Sequence, residues 1–180
     1  LGDADPGGRL PTTYPARLVD HPAHEHYEPV RNGEKPPLQR YTEGLFIGHR
    51  HYERSGITPR FWFGHGLRYG TTHWGAVDVS TTSGSIDSLA ATPITVAVPL
   101  RNDGNRLATV VVQGYVAPVD PSVERPAREL KTWAKTTVSA SQSGEATLVF
   151  GPDAFHHWDP DAHDWTVAPG VYDLVIAHSS

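Results

Sequence analysis

Apolar and polar residues alternate over the second half of the chain in short runs that are separated by polar turns. Every second residue of 94–100 is a large apolar one, and Asn102-Asp-Gly104 follows directly. This pattern predicts a half-buried strand that ends in a hairpin turn, because side chains alternate between the faces of a strand and Asp-Gly favours tight turns. Further strands are predicted at 109–116, 130–138, 146–150 and 171–177. Residues 109–116 begin as a continuous apolar run, which favours a central strand.

These strands predict a fold that is mainly β. Short strands joined by polar turns, with almost no amphipathic helical pattern, are typical of an antiparallel sandwich of the immunoglobulin-like type. Residues 127–135 are the one segment whose pattern also allows a helix.

The first 40 residues carry a high density of proline. The prolines are Pro6, Pro11, Pro15, Pro22, Pro29, Pro36 and Pro37. Each proline removes an amide donor and restricts the residue before it, so a long helix is not expected. We predict an extended arm with at most a short strand around Leu10.

Residues 41–74 are rich in aromatic side chains and glycines. Eight of the seventeen aromatic residues of the chain lie here, together with Gly44, Gly48, Gly64 and Gly66, without helical or strand periodicity. Rings beside glycines predict an irregular backbone that is anchored by buried side chains. Such a segment needs a second surface to cover its rings.

Three sets of motifs in this chain resemble the late part of family 3 glycoside hydrolases, the β-glucosidases and their relatives. YTEGLFIGHRHY at 41–52 and FWFGHGLRY at 61–69 resemble the family's YxEGxxVGYRYY-like and PxFPFGHGLSYT-like stretches. DPGGRLPTTYP at 5–15 resembles its NPSGKLPxTxP turn, and FHHWDP at 155–160 with Trp165 and APGVY at 168–172 resembles its C-terminal domain. The chain departs from the family at Trp62, where proline is usual, and at His49 and His51, where tyrosine is usual.

The resemblance implies a division of the chain into three parts. Residues 1–20 would end the family's α/β sandwich domain, 21–75 would be an extended aromatic connecting arm, and 76–180 would be a fibronectin type III-like β-sandwich that is expected to lack the family's last strand. Residues 127–135 are then assigned to a strand. The intact enzyme is expected to hydrolyse terminal β-linked glucosides with retention, through a covalent glycosyl-enzyme intermediate. Its nucleophilic Asp and acid/base Glu belong to upstream domains, so no catalytic residue is assigned here.

Composition narrows the possible partners. The net charge of -5 gives no basic footprint for nucleic acid. No apolar run approaches the ~20 residues that span a bilayer. The absence of Cys removes disulfides and thiolate chemistry, and no cofactor motif is found. The absence of Met predicts a fragment or a processed piece, and the compartment, cytoplasmic or secreted, stays open.

Histidines offer candidate metal ligands. His24 with His26, and His49 with His51, would point to one face if they lay on strands, with His21, Glu25 or Glu28 as a third ligand. No HExxH or comparable spacing supports a metal, and packing or surface roles are favoured. His156, His157 and His163 are expected in a surface turn.

Two further residues stand in the aromatic segment. His65 lies between two glycines and is expected to anchor the backbone through hydrogen bonds of its imidazole, rather than to act in catalysis. Glu43 is expected to form a buried structural ion pair with Arg40 or Arg50.

Tryptophans provide the alternative function, a stand-alone module that binds polysaccharide or a protein. Trp133, Trp158 and Trp165 are candidates for stacking on sugars. Because most tryptophans are largely buried, Trp158 and Trp165 are expected instead to bracket a hairpin and cover the end of the sandwich. Asp3-Ala-Asp5 resembles part of a calcium loop without its remaining ligands. The favoured interpretation is a structural docking module of a larger enzyme, with the upstream catalytic domains as partners and substrate-binding residues unknown.

Overall fold

A computed structural model describes residues 3–28 and 38–180. Pro29, Pro36 and Pro37 of the predicted arm lie outside the described residues. The chain forms two compact units. The sandwich unit contains residues 3–8, Gly66–Glu124 and Arg128–His178, and the N-terminal unit contains Arg9–His65, Arg125–Ala127 and Ser179–Ser180.

The strands and one helix of the sandwich unit follow in chain order. They are β1 Thr72–Trp74, β2 Asp78–Val79, α2 Ile86–Ala91, β3 Ile94–Asn102, β4 Ala108–Pro118, β5 Glu129–Val138, β6 Ser143–Phe150, β7 His157–Asp159, β8 Asp164–Thr166 and β9 Tyr172–Ala177. A 3-10 helix spans Pro152–Ala154. The N-terminal unit contributes α1 at His49–Ser55 and 3-10 helices at Leu18–Asp20 and His24–His26.

All of the named strand pairs are antiparallel. In one sheet β3 pairs with β1, β2 and β6, while in the other β4 lies between β5 and β9, and β7 and β8 form a hairpin of their own. This confirms the predicted antiparallel β fold, the central position of the 109–116 strand and the strand at 130–138. The helix alternative at 127–135 is wrong, because β5 pairs along β4 from Glu129 onward.

Most of the core of the sandwich comes from the inward positions of three strands. Alternate residues of β3 and β6 are buried, as the period of a strand requires. They meet the valines of β4 in one cluster, to which Val98, Val112, Leu148 and Phe150 contribute side chains with no exposed surface. The pattern read from the sequence therefore located this core correctly.

The turn after β3 differs from the predicted hairpin. It carries the chain from β3 in one sheet to β4 in the other, so these strands do not pair. Asn102 is fully buried there, and its side-chain amide donates to the carbonyls of Arg106 at 2.7 Å, Val138 at 2.9 Å and Ser139 at 3.2 Å. Its side-chain oxygen accepts from the Gly104 N–H at 2.9 Å. The side chain of Asn102 thus holds a crossover between sheets.

Both α-helices depart from the prediction. Helix α1 lies inside the aromatic segment that we expected to be irregular, and it ends at Gly56 in the left-handed conformation with φ 63°. Helix α2 follows Ser85, whose side chain accepts from the Ser88 N–H as an N-cap. Each helix is only two turns or less, too short for its periodicity to be read from the sequence.

Leu10 does not lie in a strand. Its N–H donates to the His65 carbonyl, and its own carbonyl accepts from Gly64, each at 2.9 Å. The domain bounds at 20 and 75 stay a prediction, and β1, at Thr72–Trp74, pairs with β3.

Candidate docking surface

Two of the motif segments lie side by side in the N-terminal unit. Residues 10–14 run antiparallel to 61–65, with an isolated bridge between Tyr14 and Phe61. Besides the bonds of Leu10, the Tyr14 N–H donates to Phe61 at 2.8 Å, and the Thr13 hydroxyl accepts from the Phe63 N–H at 3.2 Å. Gly64 adopts φ 84°, which favours glycine, at the point where it bonds back to Leu10. The backbones of these two segments are therefore held in place by hydrogen bonds to each other.

A charged pair and a buried phenol add to this unit. The Arg17 guanidinium donates hydrogen bonds to both carboxylate oxygens of Asp20, at 2.6 and 3.1 Å. These hydrogen bonds lower the pKa of Asp20 and raise that of Arg17. Tyr52 is only 1% exposed, and its buried hydroxyl has no hydrogen-bond partner among the residues that the structure describes. Burial, followed by the negative charge of Asp20, raises the pKa of Tyr52.

The large apolar side chains of the N-terminal unit are mostly exposed. Tyr52 is the one large apolar residue that is fully buried among the described residues of this unit, whereas the other buried apolar residues belong to the sandwich unit. The exposed ones are Tyr14, Leu18, Val19, Tyr27, Leu38, Tyr41, Leu45, Ile47 and Phe61, and we call them the exposed apolar set. Tyr41 is 87% exposed and Leu18 74%. This is an unusual surface for a unit whose described residues bury so few large apolar side chains.

The histidine pairs do not have the geometry of a metal site. His24 and His26 lie in a 3-10 helix, and His49 and His51 lie in α1, so the premise that they share one face of a strand is wrong. Residues two apart on a helix point in different directions. Within residues 3–28 and 38–180, no group of three or more His, Cys, Asp or Glu side chains could hold a metal ion.

His65 anchors the aromatic segment differently from the prediction. Its ring lies against Phe61 with centroids 4.9 Å apart, and its backbone bonds to Leu10 and Trp62. Ring packing and main-chain bonds thus take the role that we expected of imidazole hydrogen bonds.

Glu43 is half-buried rather than buried, in a turn where its carbonyl accepts from the Phe46 N–H at 3.0 Å. Its expected ion pair with Arg40 or Arg50 stays a prediction. The sequence could not show the partial burial of Glu43, since the burial of a side chain in a turn depends on distant residues.

Asp5 has a structural role in the sandwich unit. One carboxylate oxygen accepts from the Tyr69 N–H at 2.9 Å, and the other accepts from the Thr109 N–H at 2.7 Å. Both oxygens are therefore engaged by the backbone, which explains Asp5 without the calcium loop suggested by its spacing from Asp3.

Of the three histidines expected in a surface turn, His163 lies there, exposed and at φ 52°. His157 lies in β7, and the His156 imidazole stands 3.6 Å from the Asp153 carboxylate.

The tryptophan residues are more exposed than expected. Trp158 and Trp165 bracket the β7–β8 hairpin as predicted, and they face each other in its register. Their expected burial is wrong, since they are 49% and 61% exposed, and Trp133 on β5 is 65% exposed. Sequence alone could not show this, because tryptophan is mostly buried in folded proteins.

None of the helices formed by the described residues is both long and apolar enough to cross a membrane.

Comparison with known proteins gives a consistent result. The fibronectin type III-like domain family matches residues 110–180. The chain is 37% identical over 180 residues to a β-glucosidase of Rhizobium radiobacter, and 33% identical to thermostable β-glucosidase B of Acetivibrio thermocellus. Both matches cover 100% of this chain, and they cover 21% and 23% of the two relatives.

A solved structure agrees with these relatives. The GH3 β-glucosidase of Bifidobacterium adolescentis superimposes with a TM-score of 0.83 at 31% identity, over 99% of this chain and 25% of that one. The chain therefore spans about a fifth to a quarter of the proteins that it matches.

The paired antiparallel sheets and the family match define the sandwich unit as a fibronectin type III-like domain. The chain as a whole matches the C-terminal, fibronectin type III-like region of glycoside hydrolase family 3 β-glucosidases, as its motifs predicted.

Proposed function

We propose that this chain is the C-terminal part of a family 3 β-glucosidase and that its N-terminal unit docks on the upstream catalytic domains of the same enzyme. The observation that carries the proposal is the exposed apolar set of the N-terminal unit. Among the described residues of this unit, Tyr52 is the one large apolar residue that is buried. Apolar side chains of this size gain free energy only when another surface covers them.

The gain from covering these side chains is large enough to hold a domain. Full burial of one Leu or Ile side chain contributes about 1.5–3 kcal/mol. The ordering of side chains and the desolvation of polar groups offset part of this free energy in any interface. The backbone at 10–14 and 61–65 is already fixed by the bonds between these two segments, so they have little chain entropy left to lose when the unit docks.

The chemistry of the intact enzyme is assigned to groups outside this chain. A retaining glycosidase needs two carboxyl groups about 5–5.5 Å apart across the glycosidic bond. Of the carboxylates singled out here, Asp5 and Asp20 are engaged by backbone amides and by Arg17. We expect the chain alone to release no nitrophenol from an aryl β-glucoside, and measurable release would contradict this assignment.

Docking is tested in the intact enzyme with a matched pair of substitutions. Leu45 in the exposed apolar set and Leu107 in the sandwich unit are 52% and 50% exposed. Leu45→Ser is expected to destabilise the intact enzyme by about 1–3 kcal/mol in equilibrium unfolding, whereas Leu107→Ser stays within about 0.5 kcal/mol of the unsubstituted enzyme. Equal effects of the two substitutions would contradict docking through the N-terminal unit.

A further inference from the structure

The β7–β8 hairpin presents two exposed tryptophan rings on one side. Trp158 and Trp165 are direct cross-strand partners, with ring centroids 5.7 Å apart and planes inclined by 75°. In this edge-to-face arrangement the edge of one ring covers one face of the other. The remaining ring faces are not needed for the pair, and the exposure of 49% and 61% shows that much of their area is open.

The loop between β7 and β8 carries polar side chains at the end of this hairpin. Asp161 and His163 are exposed there. The loop is fixed by Asp159, whose carboxylate accepts from the N–H groups of Asp161 at 2.9 Å and Ala162 at 3.1 Å. The hairpin therefore combines open aromatic faces with carboxylate and imidazole groups in a preformed loop.

This combination fits the two-sided surface of a pyranose chain. The axial C–H groups of a β-linked glucose unit form an apolar face that packs on the negative face of an aromatic ring. The hydroxyl groups at the edge of the sugar are donors and acceptors for carboxylate and imidazole side chains. Three aspartates within residues 159–164 disfavour nucleic acid and acidic polysaccharides, so a neutral sugar chain is the matching ligand.

We propose that Trp158, Trp165 and the loop of the β7–β8 hairpin form a binding site for a neutral β-linked glucan chain. The choice of the β-linkage rests on the proposed function in a β-glucosidase, whereas the choice of a neutral glycan rests on the hairpin itself. Such a site would hold a polymeric substrate to the enzyme through this domain. The pairing of the two tryptophans also stabilises a hairpin whose strands have only three residues each. The ring faces outside this pair are open to a ligand.

Trp133 provides a matched control. It is 65% exposed and belongs to the same unit, but it lies on β5 between Lys131 and Lys135, and no aromatic ring of the described residues pairs with it. If exposure alone were enough for a tryptophan to bind sugars, Trp133 would contribute as much to binding as Trp165.

Calorimetric titration of the 180-residue chain with cellohexaose tests the proposal. We expect saturable binding, a loss of affinity of about tenfold or more in Trp165→Ala, and an unchanged affinity in Trp133→Ala. Absence of binding to the unsubstituted chain, or an equal loss in both variants, would overturn the site. Equally tight binding of maltohexaose, which is α-linked, would overturn the assignment to β-glucans.

A second measurement guards against loss of the hairpin in the alanine variant. The Trp133→Ala chain keeps Trp158 and Trp165 as its strongly exposed tryptophans among the described residues. Cellohexaose is expected to shield the tryptophan fluorescence of this chain from quenching by acrylamide, and unchanged quenching at saturating sugar would overturn the proposal.

The two proposals fail separately. If the chain binds no cellohexaose while Leu45→Ser still destabilises the intact enzyme, the hairpin site is refuted and docking is not. If the chain binds cellohexaose while Leu45→Ser does not destabilise the enzyme, only docking is refuted.

Discussion

Replacing Gly114 by alanine is expected to destabilise the sandwich unit by about 1–3 kcal/mol, because the added carbon has no room. A Cβ at this position would stand 2.6 Å from Cζ of Phe150, 2.7 Å from Cγ2 of Thr132 and 3.1 Å from Cδ1 of Leu148. Carbon atoms in ordinary contact are about 3.5–4.0 Å apart. Two neighbours must therefore each give way by roughly 1 Å. Phe150 and Leu148 have no exposed surface into which they could move.

Gly151 is the matched control for this substitution. Its φ is -82°, which any residue adopts, and a Cβ there would meet nothing within 4 Å. Gly151→Ala is expected to change the free energy of unfolding by less than about 0.5 kcal/mol. Urea unfolding of the 180-residue chain, followed by circular dichroism at several wavelengths, measures both variants under the same conditions.

Phe150→Leu separates the steric cause from a change in backbone entropy. Leucine has no Cζ atom, so it removes the shortest of the three contacts with the new methyl group. In a double-mutant cycle the two substitutions should be less destabilising together than the sum of their separate effects, by about 0.5 kcal/mol or more. Simple additivity, or a Gly114→Ala chain as stable as the unsubstituted one, would refute the steric argument.

Four further predictions concern polar groups. Asn102→Ala leaves backbone groups of the crossover without their partners and should cost about 1–3 kcal/mol or more in urea unfolding, whereas Asn105→Ala at an exposed neighbour should be nearly neutral. Asp5→Ala removes the acceptor for two backbone N–H groups, and a loss of about 1–3 kcal/mol is expected; an unchanged midpoint would show that water replaces it. The raised pKa of Tyr52 means that its stabilising effect is complete below pH 10 and is lost as the pH rises further, because the unfolded chain ionises first. Tyr52→Phe should flatten that alkaline decline, and an equally steep decline in both chains would contradict it. The pKa of Asp20 is lowered, so its pH dependence runs the other way: its contribution to the free energy of unfolding is present above about pH 4 and is lost as the pH falls further. Asp20→Asn should abolish this loss of stability in an acid titration.

The strands could be predicted because their signal is local. Alternation along 94–100 follows from which residues face the core, and the structure buries those positions in β3. The partner of a strand is not a local property. Asn102-Asp-Gly104 has the chemistry of a tight turn, yet the buried Asn102 side chain bonds to Val138, 36 residues away, and directs the chain into the other sheet.

The candidate sites were less predictable than the fold, since exposure and secondary structure around single side chains depend on tertiary context. The assumption of strands placed His49 and His51 on one face, whereas both lie in the seven-residue helix α1, where side chains two residues apart point in different directions. The tryptophans of the β7–β8 hairpin were expected to be buried from the average behaviour of the residue type. Only the structure shows Trp165 to be 61% exposed.

The two units differ in how their apolar residues are covered, and this difference explains why docking is assigned to one of them. In the sandwich unit the inward faces of β3, β4 and β6 cover one another and form a core. In the N-terminal unit the backbone is organised by hydrogen bonds between 10–14 and 61–65, while residues such as Tyr41 and Leu18 stay exposed. Hydrogen bonds specify this shape, but they contribute little net stability beyond what water would supply. Under the proposed function a second surface supplies the burial, and the resemblance of both segments to motifs of a larger enzyme supports the upstream domains as that surface.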